Sequence, residues 1–203
     1  MDVEIKKIEN TGDSKKEVVI IGGANGVGKT TFAGSYSDSY PLEFVNADEA
    51  ARELNPEDMG SVKLKAGRFF FRKVEELLKN NDNFIIESTL AGKYLLKLIR
   101  RFHEKGLFVK IIYIFLDSPD VCIERIKERV LKRGHNVPEK DVIRRYYRSK
   151  INFWNCYKSL ADKWFVMYNA GFRFTEIAIG SKDEYIVRHP RLFEEFMKDT
   201  KKE

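Results

Sequence analysis

The segment that most restricts this chain is Gly23–Thr30, Gly-Ala-Asn-Gly-Val-Gly-Lys-Thr, which fits the spacing G-x-x-x-x-G-K-[ST]. Directly before it, Val18-Val19-Ile20-Ile21 is a short continuous apolar run, as expected of a strand buried on both faces. A helical pattern follows. A strand feeding a glycine-rich turn and then a helix start aims backbone N–H groups and the positive end of a helix dipole at one point, which makes an anion site. Glycines let the backbone curl around phosphates, Lys29 is spaced to reach the β and γ phosphates, and the Thr30 hydroxyl suits magnesium. The expectation is an ATP site with Mg2+, formed by Gly23, Ala24, Asn25, Gly26, Val27, Gly28, Lys29, Thr30 and Thr31. Such a loop names a ligand and not a reaction, because phosphotransferases, hydrolases and switches share it.

Further apolar runs mark further strands: Phe44-Val45-Asn46, Phe84-Ile85-Ile86, the nine residues Phe108 to Leu116, and Trp164 to Tyr168. Helical patterns over 61–80, 91–105, 119 to about 133, and 139 to about 162 lie between them, the third opened by the cap Ser118 and the first-turn Pro119. Strands alternating with helices predict a parallel sheet covered on both faces, a three-layer α/β domain with five mainly parallel strands. The tail differs: 173–179 and 184–189 flank Gly180-Ser181-Lys182-Asp183, which predicts a hairpin, and a short helix opens at Pro190. With 203 residues the chain fits one domain. Residues 1 to about 15 are polar and read equally as a tail or an edge strand.

Lys and Arg number 37 against 31 Asp and Glu, a formal charge of +6. That excess suits either a basic nucleic-acid face or arginines gathered around a polyanionic small molecule. Cys122 and Cys156 lack metal-ligand spacing and read as plain thiols. The first residues lack the apolar stretch of a signal peptide, and no run of about eighteen apolar residues exists, so the expectation is a cytoplasmic protein with no membrane span.

In a parallel sheet, ligands bind outside the carboxyl ends of the strands. Asp48 follows the second strand and Glu87 ends the third. A carboxylate there can accept a proton from an acceptor hydroxyl or hold magnesium through water. Asp48 also fits as the cap of a helix over 47–54, and Glu87 as the partner of a neighbouring loop. Arg125, Arg129, Arg133, Arg144, Arg145 and Arg148 crowd two consecutive helices joined through Gly134-His135-Asn136-Val137-Pro138. Arg144, Arg145 and Arg148 share about a quarter turn, and Ile143, Tyr147, Ile151 and Trp154 define the adjoining arc expected to pack. This suits a lid over 125–150 whose arginines neutralise a moving phosphoryl group. Tyr146 and Tyr147 keep a nucleic-acid reading open.

Taken in order, Gly-Gly-Ala-Asn-Gly-Val-Gly-Lys-Thr-Thr-Phe, Phe-Val-Asn-Ala-Asp, Ala-Gly-Arg (66–68), Glu-Ser-Thr-Leu-Ala-Gly-Lys (87–93), Gly-His-Asn-Val-Pro (134–138), Arg-Arg-Tyr-Tyr-Arg-Ser (144–149) and Leu-Ala-Asp-Lys-Trp (160–164) resemble the zeta toxin family, over roughly 17–180. The resemblance implies a P-loop NTPase of nucleotide-kinase-like fold that phosphorylates a hydroxyl of a small molecule, in that family the sugar 3′-hydroxyl of UDP-N-acetylglucosamine. It would make Lys29 the holder of the transferred phosphate and Asp48 the base. Arg129, Arg145 and Arg148 would stabilise the transferring group. Glu87 and Thr89 would meet the substrate, with Glu87 and Thr30 ordering magnesium, and Arg68, His135 and Arg144 would bind the acceptor. An antitoxin protein is the partner the family suggests. This chain departs from the family pattern with Lys93 where Arg is common, Arg133 where a glycine often stands, and Asn169 where aspartate is common. Two other readings stay beside the kinase: a nucleic-acid-directed kinase or ATPase, and a nucleotide-dependent interaction module.

Overall fold

The computed structural model describes residues 16–39, 42–46, 50–51, 55, 61–80, 82–132, 134–171 and 173–201. Asp48, Arg133, the first fifteen residues and most of the expected helix over 47–54 lie outside them. The elements run β1 (Glu17–Gly22), α1 (Lys29–Ser39), β2 (Glu43–Asn46), α2 (Lys63–Asn80), β3 (Phe84–Ser88), α3 (Leu95–Glu104), β4 (Phe108–Phe115), α4 (Pro119–Leu131), α5 (Glu139–Asn152), β5 (Lys163–Asn169), β6 (Phe174–Ser181), β7 (Glu184–Val187) and α6 (Pro190–Lys198). A single sheet takes the order β2-β3-β1-β4-β5-β6-β7. The first five strands are parallel, as expected. The expected hairpin forms, and it does not stand apart: β6 pairs antiparallel with β5, so β6 and β7 widen the sheet to seven strands.

Period-two alternation divides the core into two layers. Val18 and Ile20 of β1, with Ile111 and Tyr113 of β4, face Val74, Leu77, Ile99, Phe102, Phe153 and Phe196 from α2, α3, the turn after α5, and α6. Val19, Ile21, Ile112 and Ile114 face Phe32 and Tyr36 of α1, Cys122 and Ile126 of α4, and Val142 and Tyr146 of α5. Burying each such side chain stabilises the fold by roughly 1.5–3 kcal/mol, which is why strands apolar on both faces must sit between two helical layers. Ser118 caps α4 as expected, its Oγ accepting from the Val121 amide at 3.4 Å.

The last long helix departs from expectation twice. The single helix expected to about 162 is α5, then a π-turn at Phe153–Tyr157, then a 3-10 turn at Lys158–Leu160. Its packing face is also displaced. Ile143 is exposed, and Val142, Tyr146, Ser149, Lys150 and Asn152 are buried. Polar partners explain the difference. Tyr146 donates to the Leu116 carbonyl at 2.7 Å, Ser149 Oγ lies 2.8 Å from the Tyr113 hydroxyl, and Lys150 Nζ donates to Asp199 at 2.7 Å amid the rings of Phe115, Tyr146 and Phe196. The lysine is buried because its charge is met on every side. Val142 and Tyr146 pack in one layer, and Phe153 and Tyr157 of the following turn in the other, so the chain passes between the layers through α5, which meets the segments just after β4 and β3 at the Leu116 and Leu90 carbonyls.

Candidate active site

The β1–α1 loop has the backbone that its glycines predict. Gly26 and Gly28 adopt φ of 84° and 93°, in the region that side chains with a Cβ avoid. Space is closed as well. A Cβ on Gly26 would lie 2.5 Å from the Cys122 carbonyl oxygen, and one on Gly28 would lie 2.5 Å from Asn169 Nδ2. The loop is thus seated on α4 and on the end of β5. Asn169 is the fastener: its Nδ2 donates to the Val27 carbonyl at 2.8 Å, and its Oδ1 accepts from the Gly171 amide at 2.9 Å. An aspartate could accept but could not donate to Val27, so an asparagine at this position has a structural use.

Lys29 and Thr30 open α1 and converge on β3. Glu87 pairs in register with Ile21 on one side and Asn46 on the other, which sets it at the carboxyl edge of the sheet. Thr30 Oγ1 donates to Glu87 Oε2 at 2.8 Å. Lys29 Nζ lies 3.8 Å from Glu87 Oε1 and donates to the Ala24 carbonyl at 2.9 Å. Lys29 and Glu87 keep only 6% and 8% of their side-chain surface, so each neutralises a charge the other could not bury alone. Hydroxyl and carboxylate oxygens are the donor types that magnesium takes, and it commonly uses one or two carboxylates beside substrate phosphates. Thr30 and Glu87 therefore fit the ion. The described residues contain no cluster of three or more His, Cys, Asp or Glu that would form an all-protein cage.

The arginines distribute unevenly. Arg145 Nη1 donates to Asn25 Oδ1 at 3.0 Å, placing α5 directly on the phosphate loop. Arg129 donates to the His135 carbonyl at 2.6 Å, which closes the α4–α5 connection on itself. Arg144 turns back along its own helix to Asp141 at 2.9 Å, and that hydrogen bond holds the Asp141 carboxyl below its ordinary range. Arg148 and His135 are exposed, and Arg68 is exposed on α2. Thr31 is exposed after Thr30, while Ala24 and Val27 are buried beneath the loop. Tyr146 is only 1% exposed, so it offers no face to a base.

After Glu87 the chain makes a second unusual turn. Leu90 is fully buried with φ of 55°. Its amide donates to Ser88 Oγ at 3.2 Å, and the Ala91 amide donates to Thr89 Oγ1 at 3.4 Å. The sequence points to Thr89 and gives no sign of Leu90, and Asn169 stands out in it only as a departure from a pattern. Asn169 carries one usable signal, its place at the carboxyl end of a strand, whereas nothing local announces Leu90.

Among the described residues no helix is long and apolar enough to cross a membrane. Comparison with known proteins agrees with the architecture. An uncharacterized protein of Haemophilus influenzae is 30% identical over 124 residues, which are 61% of this chain and 88% of that one. The PezAT chromosomal toxin-antitoxin system of Streptococcus pneumoniae superposes with a TM-score of 0.63 over 95% of this chain and 90% of that one, at 14% identity. The AvrRxo1-ORF1:-ORF2 complex with ATP gives 0.70 over 92% of this chain and 64% of that one, also at 14% identity. These likenesses bear out, at the level of fold, the P-loop kinase architecture and the zeta-toxin resemblance read from the motifs. A family described as AAA domain, AAA_33, matches residues 18–149, more than half of the chain, and the protein belongs to it.

Proposed function

We propose that this protein is an ATP-dependent phosphotransferase that moves the γ-phosphoryl group onto a hydroxyl of a small molecule, with a nucleotide sugar such as UDP-N-acetylglucosamine the first acceptor to try. The observation that carries this reading is the meeting of Lys29, Thr30 and Glu87 at the mouth of the phosphate loop. A carboxylate beside the loop's lysine and threonine gives the donor site a second, acidic wall. When bound, Mg2+ would lie at Thr30 and Glu87 and offset charge on the β and γ phosphates.

The chain's own groups divide the remaining work. Lys29 leaves the Ala24 carbonyl to bind the γ-phosphate, and Arg145 already reaches the loop from α5. Arg129 and Arg148 complete the positive wall around the transferring group. Asp48, two residues beyond the strand-end Asn46 in sequence, takes the acceptor proton. Thr89, Arg68, His135 and Arg144 belong to the acceptor side. Transfer needs little covalent chemistry from protein, so positioning and charge are the main contributions. The buried Tyr146 weighs against the nucleic-acid reading. An antitoxin partner is supported by the toxin-antitoxin system among the structural relatives.

The test uses γ-labelled ATP with Mg2+ and a panel of nucleotide sugars and nucleotides. Label should pass to an acceptor in wild type, and should fall by about 10²–10³ in Asp48→Asn, a variant that still binds ATP. Undiminished transfer by Asp48→Asn would remove the proposed base. ATP turnover that never labels an acceptor would sink the kinase reading.

A further inference from the structure

The segment that follows Glu87 is held in an unfavourable shape from a distance. A leucine in the left-handed region persists only where its surroundings over-determine it. Beyond the local bond of the Leu90 amide to Ser88 Oγ, the surroundings supply two donors, one from the end of α5 and one from the turn that continues it. Asn152 Nδ2, at the end of α5, donates to the Leu90 carbonyl at 2.9 Å. Tyr157 donates its hydroxyl to the Gly92 carbonyl at 2.6 Å. Tyr157 closes the π-turn Phe153–Tyr157, and such single-turn widenings of a helix recur at functional sites. Both donors are buried, and both acceptors lie more than sixty residues away in sequence.

The other end of the same element lies on the phosphate loop through Arg145 and Asn25. Between the two ends α5 is pinned by Tyr146 to Leu116, by Ser149 to Tyr113 and by Lys150 to Asp199. We infer that Asn152 and Tyr157 are positioning residues: they hold the Thr89–Gly92 loop in its left-handed shape and tie it to the helix that sets Arg145 on the phosphate loop. Donor-side and acceptor-side loops then share one rigid reference. This rests on the reading of Thr89 as an acceptor-side group. Burial raises the Tyr157 hydroxyl above the ordinary phenol range, so it stays a donor throughout neutral and alkaline working pH.

Asn152→Asp keeps the side chain's shape and removes its N–H donors, and Tyr157→Phe removes only the hydroxyl. Three readouts are taken on the full chain. In the free protein, deuterium uptake by the 88–94 segment should rise about tenfold in each variant, the scale of one lost hydrogen bond to a buried carbonyl. ATP affinity should stay within about twofold of wild type. With γ-labelled ATP and UDP-N-acetylglucosamine as probe, kcat for transfer should fall about tenfold. Unchanged uptake in both variants overturns the proposal, as does ATP affinity falling in step with transfer, which would indicate general disruption. Should Asn152→Asp fail to fold, Tyr157→Phe decides alone. If wild type leaves the sugar nucleotide unlabelled, the acceptor reading fails, and the uptake measurement still decides the positioning role.

Discussion

Two loops leave neighbouring strands at the same edge of the sheet, and each must hold a positive φ. The loop after β1 does it with glycines, which adopt that region at no steric cost. The loop after β3 does it with a leucine, buried against the end of β1, where Gly22 leaves room for its side chain. The first conformation is written into its own eight residues. The second is imposed by Asn152 and Tyr157, which are remote in the chain. A donor site shared across many chemistries can be locally encoded. An acceptor site that differs from protein to protein can be held by parts that vary independently of the loop.

The largest effect should come from breaking the locally encoded loop. In Gly26→Ala the new methyl would lie 2.5 Å from the Cys122 carbonyl oxygen, and the residue would sit at a φ of 84°. Both backbone segments have to shift, and the amides that wrap the phosphates shift with them. ATP affinity should fall by about 100-fold or more, while the fold loses only about 1–3 kcal/mol of stability. Calorimetric titration with ATP, set beside urea unfolding, separates the two. An affinity loss under about fivefold would mean that the loop's shape is not what binds the phosphates.

At Leu90 two terms oppose each other. Leu90→Gly relieves about 1–2 kcal/mol of left-handed strain. It also removes a fully buried side chain from the core, and large-to-small changes of this kind cost about 2–5 kcal/mol. Packing wins, so urea unfolding should show a net loss of roughly 1–3 kcal/mol. A stabilised Leu90→Gly would reverse the ranking and make strain, not packing, the dominant feature of the second loop.

The same contrast governs what could be read from the chain alone. The phosphate loop, the five parallel strands and the capped start of α4 follow from motif, apolar runs and the Ser-Pro pair, all local signals. Glu87 was legible because a charge ending an apolar run at a strand's carboxyl end has few places to go. Its partners Lys29 and Thr30 followed from the motif's own chemistry. The packing face of α5 was not legible. An apolar arc through Ile143 is more hydrophobic than one through Ser149 and Lys150, and only the distant Tyr113 and Asp199 make the polar arc the buried one. Asn152, Tyr157 and the fastener Asn169 belong to the same class: ordinary residues whose roles exist only through contacts that the fold supplies.

The smallest expected effect compares the two supports directly, since each cysteine marks one of them. Cys122 lies fully buried on α4 under Gly26, and Cys156 is half-buried in the π-turn beside Tyr157. Burial pushes the Cys122 thiol up to about 12, against a weaker opposing pull from Lys29 and Arg125. Alkylation at pH 8 in the native state should therefore modify Cys156 and leave Cys122 about 100-fold slower, because attack needs both exposure and thiolate. The sign of the pH dependence follows from the same burial. Above about pH 8.5 the unfolded thiol ionises while the folded one does not, so the unfolded chain holds fewer protons and stability falls as pH rises from there toward about 12. Burial also raises the hydroxyls of Tyr113, Tyr146, Tyr157 and Tyr168, so the cysteine's share is read between about pH 8.5 and about 10, before unfolded tyrosines ionise. In that window Cys122→Ala should lack the loss, once that variant's own packing cost is subtracted at neutral pH. Equal labelling of the two thiols would show that α4 opens beneath the phosphate loop as readily as the π-turn does. The first loop would then owe its shape to glycine chemistry alone, with no rigid bed under it.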